Sequence, residues 1–160
     1  MPLLLFGSIY AALTLAVVAM VQHEREAAQP THSRLARWLW TAAWFLYLVH
    51  VAVALGVVHR GHAAAYEHTA RRTAELFGIE TGVGLYVNYM FTIWWTLDVY
   101  RSWRDPPPVA PSRQQIAFEI ALAFMTVNGA VIFAQGWTRV WGVVLCAVIG
   151  GVWWRRARRC

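Results

Sequence analysis

Four side chains of the kind that bind transition metals lie close together between residues 59 and 75. His59 and His62 are three residues apart, and His68 and Glu75 are seven apart, so each pair shares one face of a helix. Imidazole nitrogens suit Zn, Cu and haem iron, and a carboxylate can complete such a coordination sphere. The spacing therefore predicts a metal site formed by His59, His62, His68 and Glu75.

A second interpretation of the same segment needs no metal. Histidine is a common polar anchor at a membrane surface, and Glu67 with Arg71 forms an ordinary pair four residues apart on a helix. No HxH or HExxH motif occurs in the sequence to strengthen the metal hypothesis. Both interpretations stay open at this level.

His50 is the histidine placed deepest in an apolar run, where polar groups are costly and often functional. It is the candidate cofactor-binding residue, because imidazole can ligate haem iron, hydrogen-bond a quinone or relay a proton. A second deep histidine for a bis-histidine haem is missing, since His59 lies ~13 Å further along the same helix. The alternative is a neutral histidine bonded to a Tyr or Asn of a neighbouring helix.

Other polar side chains interrupt the later apolar runs. Asn88, Thr92 and Thr96 form a stripe at helical spacing, and Thr126 with Asn128 lies at a similar depth. These residues predict hydrogen bonds between helices, or alternatively a polar pocket with His50.

Two acidic side chains lie near the ends of apolar runs. Asp98 precedes Arg101 by three residues, which predicts an ion pair, and Glu119 lies near the start of its run.

The segments that carry these residues are predicted to be membrane helices. The chain has 160 residues, of which 59% are hydrophobic, and its mean hydropathy is +0.42. Soluble domains are usually ~45–50% apolar. About 20 residues of α-helix cross a ~30 Å hydrocarbon core. We therefore predict an all-α transmembrane bundle of about five helices in one membrane domain over residues 1–160, with spans at 2–21, 38–58, 81–100, 116–135 and 138–154.

One connection carries a helix of its own. Between residues 62 and 77, apolar and polar side chains alternate with helical spacing, and Gly61 and Gly78 flank the pattern. This predicts a short amphipathic helix at the membrane surface.

The arginines predict the orientation. All 14 basic residues are Arg; ten fall in one set of alternate connections and four in the other. Because positive loops stay in the cytoplasm, we expect the N-terminus and residues 59–80 outside and the C-terminus in the cytoplasm of a bacterial inner membrane. Placement at helix ends favours the lipid bilayer over nucleic acid as the partner of these charges. An alternative makes residues 2–21 a signal peptide, although a basic segment is missing before them.

Residues 59–98 resemble part of a family of bacterial multi-pass integral membrane proteins. The resemblance rests on Ala63 to Glu75 followed by Gly82 to Tyr89, and covers about a quarter of the chain. It implies a membrane location and no activity.

Three functions remain open. The absence of nucleotide motifs and of Ser–His or Cys–His constellations favours a non-catalytic accessory subunit of a larger membrane complex, in contact with other membrane subunits. The histidines favour a second function, a metal- or haem-binding protein that includes the option of redox activity, with Zn, Cu or haem as cofactor. The third function is a small transporter or channel, and the lack of proline-broken helices counts against it.

Overall fold

The computed structural model describes residues 2–27, 34–105 and 112–158, and these form a bundle of six helices without a strand. Two of the helices, α2 and α5, end in a wider π-helical turn. The helices are α1 (Pro2–Ala27), α2 (Leu35–Val53, with its π turn Ala54–Val58), α3 (His62–Phe77), α4 (Val83–Arg104), α5 (Arg113–Thr126, with its π turn Val127–Ile132) and α6 (Trp137–Ala157).

The predicted all-α bundle is confirmed, and the short helix predicted at 62–77 has those bounds as α3. Gly78 ends α3 in the left-handed conformation, φ 70°, which a residue without Cβ adopts at little cost. The two π turns were not predicted, because the apolar pattern runs through them unchanged.

Four helices are long and apolar enough to cross a membrane: α1, α2, α5 and α6. The fourth helix, α4, is 22 residues long but is not among them. Its apolar character is diluted by polar residues inside the span predicted at 81–100, such as Asn88 and Asp98. A fifth crossing by α4 stays a prediction.

The core is built on close packing of α1 against α2. Ala12 and Ala16 of α1 and Ala43 of α2 are completely buried, and such small side chains let two helix backbones approach closely. Next to them, Trp95 of α4 and Phe118 of α5 fill the centre with aromatic rings.

Gly142 fixes α6 against the π turn of α5. A Cβ added at Gly142 would lie 2.5 Å from the carbonyl oxygen of Ala130, so no larger residue fits without movement. By contrast, Gly150 and Gly151 of the same helix have open space around them.

Side-chain contacts show which helix ends lie together. The Arg-rich end holds the end of α1, the starts of α2 and α5, and the ends of α4 and α6. The His-rich end holds the π turns of α2 and α5, α3 and the start of α6. These two names are used below for the two ends of the bundle.

Candidate functional site

Two of the four predicted metal ligands meet at the His-rich end. The rings of His59 and His68 lie 4.8 Å apart between centroids, tilted by 44°. His59 directly follows the π turn of α2, and His68 lies in the middle of α3. This contact joins α3 to the end of α2.

The other two predicted ligands have different partners. The Nδ1 atom of His62 is 3.0 Å from the hydroxyl of Tyr89, and Glu75 accepts a hydrogen bond of 2.7 Å from Arg72. Across residues 2–27, 34–105 and 112–158, no group of three or more His, Cys, Asp or Glu side chains is arranged to hold a metal ion. The structure thus brings together a histidine pair and not the predicted set of four.

The environment of His68 favours the neutral imidazole. Partial burial lowers the pKa of His68 below its ordinary value of 6.5, and electrostatic interaction with the nearby basic groups of His59, Arg71 and Arg72 lowers it further. The carboxylate of Glu75 acts in the opposite direction. A neutral ring is the form that can bind a metal through its lone pair.

His50 contacts α1 through a backbone group. Its Nδ1 atom lies 2.9 Å from the carbonyl oxygen of Leu5, so Nδ1 carries the proton and donates it. The predicted Tyr or Asn partner is therefore replaced by a main-chain carbonyl. Nε2 is left with the lone pair, which is the arrangement seen in histidines that ligate a metal, and binding of a cofactor at His50 stays a prediction.

The polar stripe of α4 makes the predicted hydrogen bonds between helices. The hydroxyl of Tyr47 donates to the amide oxygen of Asn88, and the indole of Trp44 donates to Thr96 at 3.0 Å. For α5 the prediction was wrong, because Thr126 and Asn128 donate to carbonyls one turn back in their own helix. A Thr or Asn side chain reaches that carbonyl without any partner helix.

The densest charged contact lies at the Arg-rich end. Glu119 of α5, 3% exposed, accepts two hydrogen bonds from the guanidinium of Arg156 on α6, at 2.6 and 3.0 Å. The indole of Trp153 donates to the same carboxylate at 3.0 Å. Arg156 also pairs with Glu24 of α1, so one guanidinium joins three helices.

This three-helix ion cluster, Glu24–Arg156–Glu119, was not predicted from the sequence. A signal was available, since Glu119 starts one helix of a tight hairpin and Arg156 ends the other, which places both at one end. Each group of a buried pair needs the other, because removing one leaves an uncompensated charge. The cluster therefore holds helices together.

Asp98 has a different partner from the predicted one. Its carboxylate accepts a hydrogen bond of 2.9 Å from the indole of Trp40 on α2, and among the described residues no ion pair with Arg101 forms. Trp40 comes from the neighbouring helix, so local spacing could not identify it. The bond fixes α4 to α2 near the Arg-rich end.

A cleft of about 790 Å³ opens at the Arg-rich end, between the end of α1, the start of α2, the end of α4 and the start of α5. Its apolar wall is formed by the half-buried Trp40 and by Trp103. Four arginines also line it, and within the described part of the chain none of them forms an ion pair: Arg34, Arg37, Arg101 and Arg104.

Comparison of the chain with protein-family models, with curated proteins and with solved structures finds no match.

Proposed function

We propose that this integral membrane protein is a non-catalytic accessory subunit of a larger membrane complex. The observation that supports the proposal is that interior polar groups bond to one another between helices. Tyr47 bonds to Asn88, Asp98 to Trp40, and Glu119 to Arg156, each from one helix to another. Polar groups engaged in this way stabilise one helix arrangement, which is a structural use of these side chains.

The proposed topology follows from the two ends. With the arginines of the Arg-rich end in the cytoplasm of a bacterial inner membrane, the His-rich end faces outward and α4 is the fifth crossing. The pairing of α4 with α2 supports this crossing, because contacts extend from Asn88 to Asp98 along α4. Packing of Ala12 and Ala16 in the core supports retention of α1.

The test is site-specific photo-crosslinking on native membranes, with one exposed apolar position per long helix replaced by a photoreactive residue. We expect one helix to give a protein adduct of a single mass, and the same protein to co-purify at fixed stoichiometry without the crosslinker. Lipid adducts alone at every position would overturn the proposal. The positions, each 45–60% exposed, are Val18, Phe45, Ile93, Phe124 and Val144.

A second candidate function is metal binding at the His-rich end, favoured by the facing rings of His59 and His68. The two imidazoles, completed by water, give a site for Zn²⁺ or Cu²⁺. This candidate uses two of the four predicted ligands and leaves His62 outside.

Calorimetric titration of Zn²⁺ into the purified chain without a histidine tag tests this candidate. We expect one ion per chain and at least a tenfold weaker affinity in His68→Ala. His62→Ala is the matched control, because His62 bonds to Tyr89, and its affinity should be unchanged. No binding, or equal loss in both variants, would exclude the histidine pair as a site.

A further inference from the structure

The cleft at the Arg-rich end combines unpaired positive charge with an apolar wall. We propose that it binds an anionic phospholipid, with the phosphate against the arginines and the glycerol and upper acyl chain against Trp40 and Trp103. This inference rests on the proposed topology but not on the proposed accessory role, because a lipid can occupy the cleft whether or not a protein partner exists.

Three of the four carboxylates that line the same cleft accept hydrogen bonds within the protein. Glu119 is bound by Arg156, Asp98 by the indole of Trp40, and Glu26 by the backbone N–H of Ala36 at 3.2 Å. Asp105, at the mouth of α4, is exposed to solvent. Because Arg156 neutralises Glu119, the four arginines face three other carboxylates, those of Glu26, Asp98 and Asp105, and the cleft keeps one positive charge in excess for an anion from outside the chain.

One of these arginines is held in place by aromatic contacts. The guanidinium of Arg37 lies 5.3 Å from the ring centre of Trp103, whose indole donates to Thr41 at 2.9 Å. Trp38 packs edge-on against Trp103 at 4.6 Å. A guanidinium fixed in this way loses little freedom on binding a phosphate, for which its planar donors are suited.

The position of the cleft selects a lipid over a soluble anion. Tryptophan side chains such as Trp38 and Trp103 are typical of the interface between headgroups and hydrocarbon. Basic pockets between transmembrane helices at the cytoplasmic side are a recurrent site for anionic headgroups. A soluble phosphate would use the arginines but would gain nothing from the apolar wall.

The experiment measures binding of short-chain phosphatidylglycerol to the purified full chain by native mass spectrometry, with phosphatidylcholine as the neutral lipid. We expect phosphatidylglycerol to bind preferentially, and Arg37→Gln and Arg101→Gln each to weaken it about fivefold. Arg104→Gln, at an exposed position, provides a further test if Arg37→Gln does not fold.

Arg155→Gln is the matched control, because Arg155 lies at the same end of the bundle, is exposed and does not line the cleft. Equal weakening in Arg155→Gln would show general surface attraction and overturn the proposal. Equal binding of phosphatidylcholine would overturn it as well. Inorganic phosphate that binds the cleft as tightly as phosphatidylglycerol would show that the apolar wall contributes nothing, and would assign the arginines to a free anion.

Discussion

The two ends of the bundle are held by different kinds of contact. At the Arg-rich end, Glu24, Arg156 and Glu119 connect three helices through charge-assisted hydrogen bonds with little access to water. At the His-rich end, α3 is attached by ring contacts such as His59 with His68, and its ion pairs are exposed. Buried charged hydrogen bonds tolerate little change in geometry. Ring contacts and exposed ion pairs tolerate larger changes.

The two ends therefore differ in how firmly they are held. The Arg-rich end fixes the relative positions of α1, α5 and α6, and the contacts of α3 at the His-rich end allow more adjustment. Three measurements test this difference between the two ends.

The largest effect is expected for Arg156→Ala. This change leaves Glu119 buried without its cation, which should lower the free energy of unfolding by about 3–5 kcal/mol. The measurement is unfolding in mixed detergent micelles titrated with SDS. The matched control is Arg71→Ala at the His-rich end, where the exposed pair with Glu67 spans 3.8 Å and should contribute less than about 1 kcal/mol. Equal losses would refute the difference between the ends.

A smaller effect is expected for Gly142→Ala. The added methyl group would meet the carbonyl oxygen of Ala130 in the π turn of α5, and overpacking of this kind costs about 1–3 kcal/mol. Gly150→Ala in the same helix meets no atom within 4 Å and should be neutral or slightly stabilising. Thermal unfolding of both variants gives the comparison. A tolerated Gly142→Ala would mean that the His-rich end adjusts even at this close contact.

The smallest effect is expected from pH. Because burial and nearby positive charge lower the pKa of His68 from 6.5, the docked state binds a proton less readily than the undocked state. The free energy that holds α3 in place is therefore fully present at a pH above about 6.5, the ordinary pKa of histidine, and it decreases as the pH falls below that value. Hydrogen exchange of α3 amides should speed up between pH 7 and pH 5.5, after correction for intrinsic rates. His68→Gln should remove this dependence, and a dependence that persists would assign it to another group.

Much of the fold could be predicted from local pattern. The bounds of α3 follow from its periodic apolar residues and from Gly61 and Gly78, because these signals lie within the segment itself. The bonds of Asn88 and Thr96 to α2 were also predictable, since polar groups inside a bundle need a partner.

The rest depends on which helices become neighbours, and periodicity does not contain that information. Asp98 has Arg101 nearby in sequence, but the structure places the indole of Trp40 at its carboxylate. Likewise, His62 and His68 lie on one short helix, yet His62 faces Tyr89 and His68 faces His59. Spacing within α3 could not separate these two histidines.

The π turn at Ala54–Val58 sets the direction of His59. A π turn holds one residue more than the corresponding α-helical turn, so the same residues wound as α-helix would place His59 about 100° further around the helix axis. The π turn thus takes up one extra residue of chain and keeps His59 on the side of the helix that faces His68. Deleting Gly56, which has open space around it, would let the turn become α-helical while His59 still faces His68. At this point the chain can change in length by one residue without a change in which side chains meet.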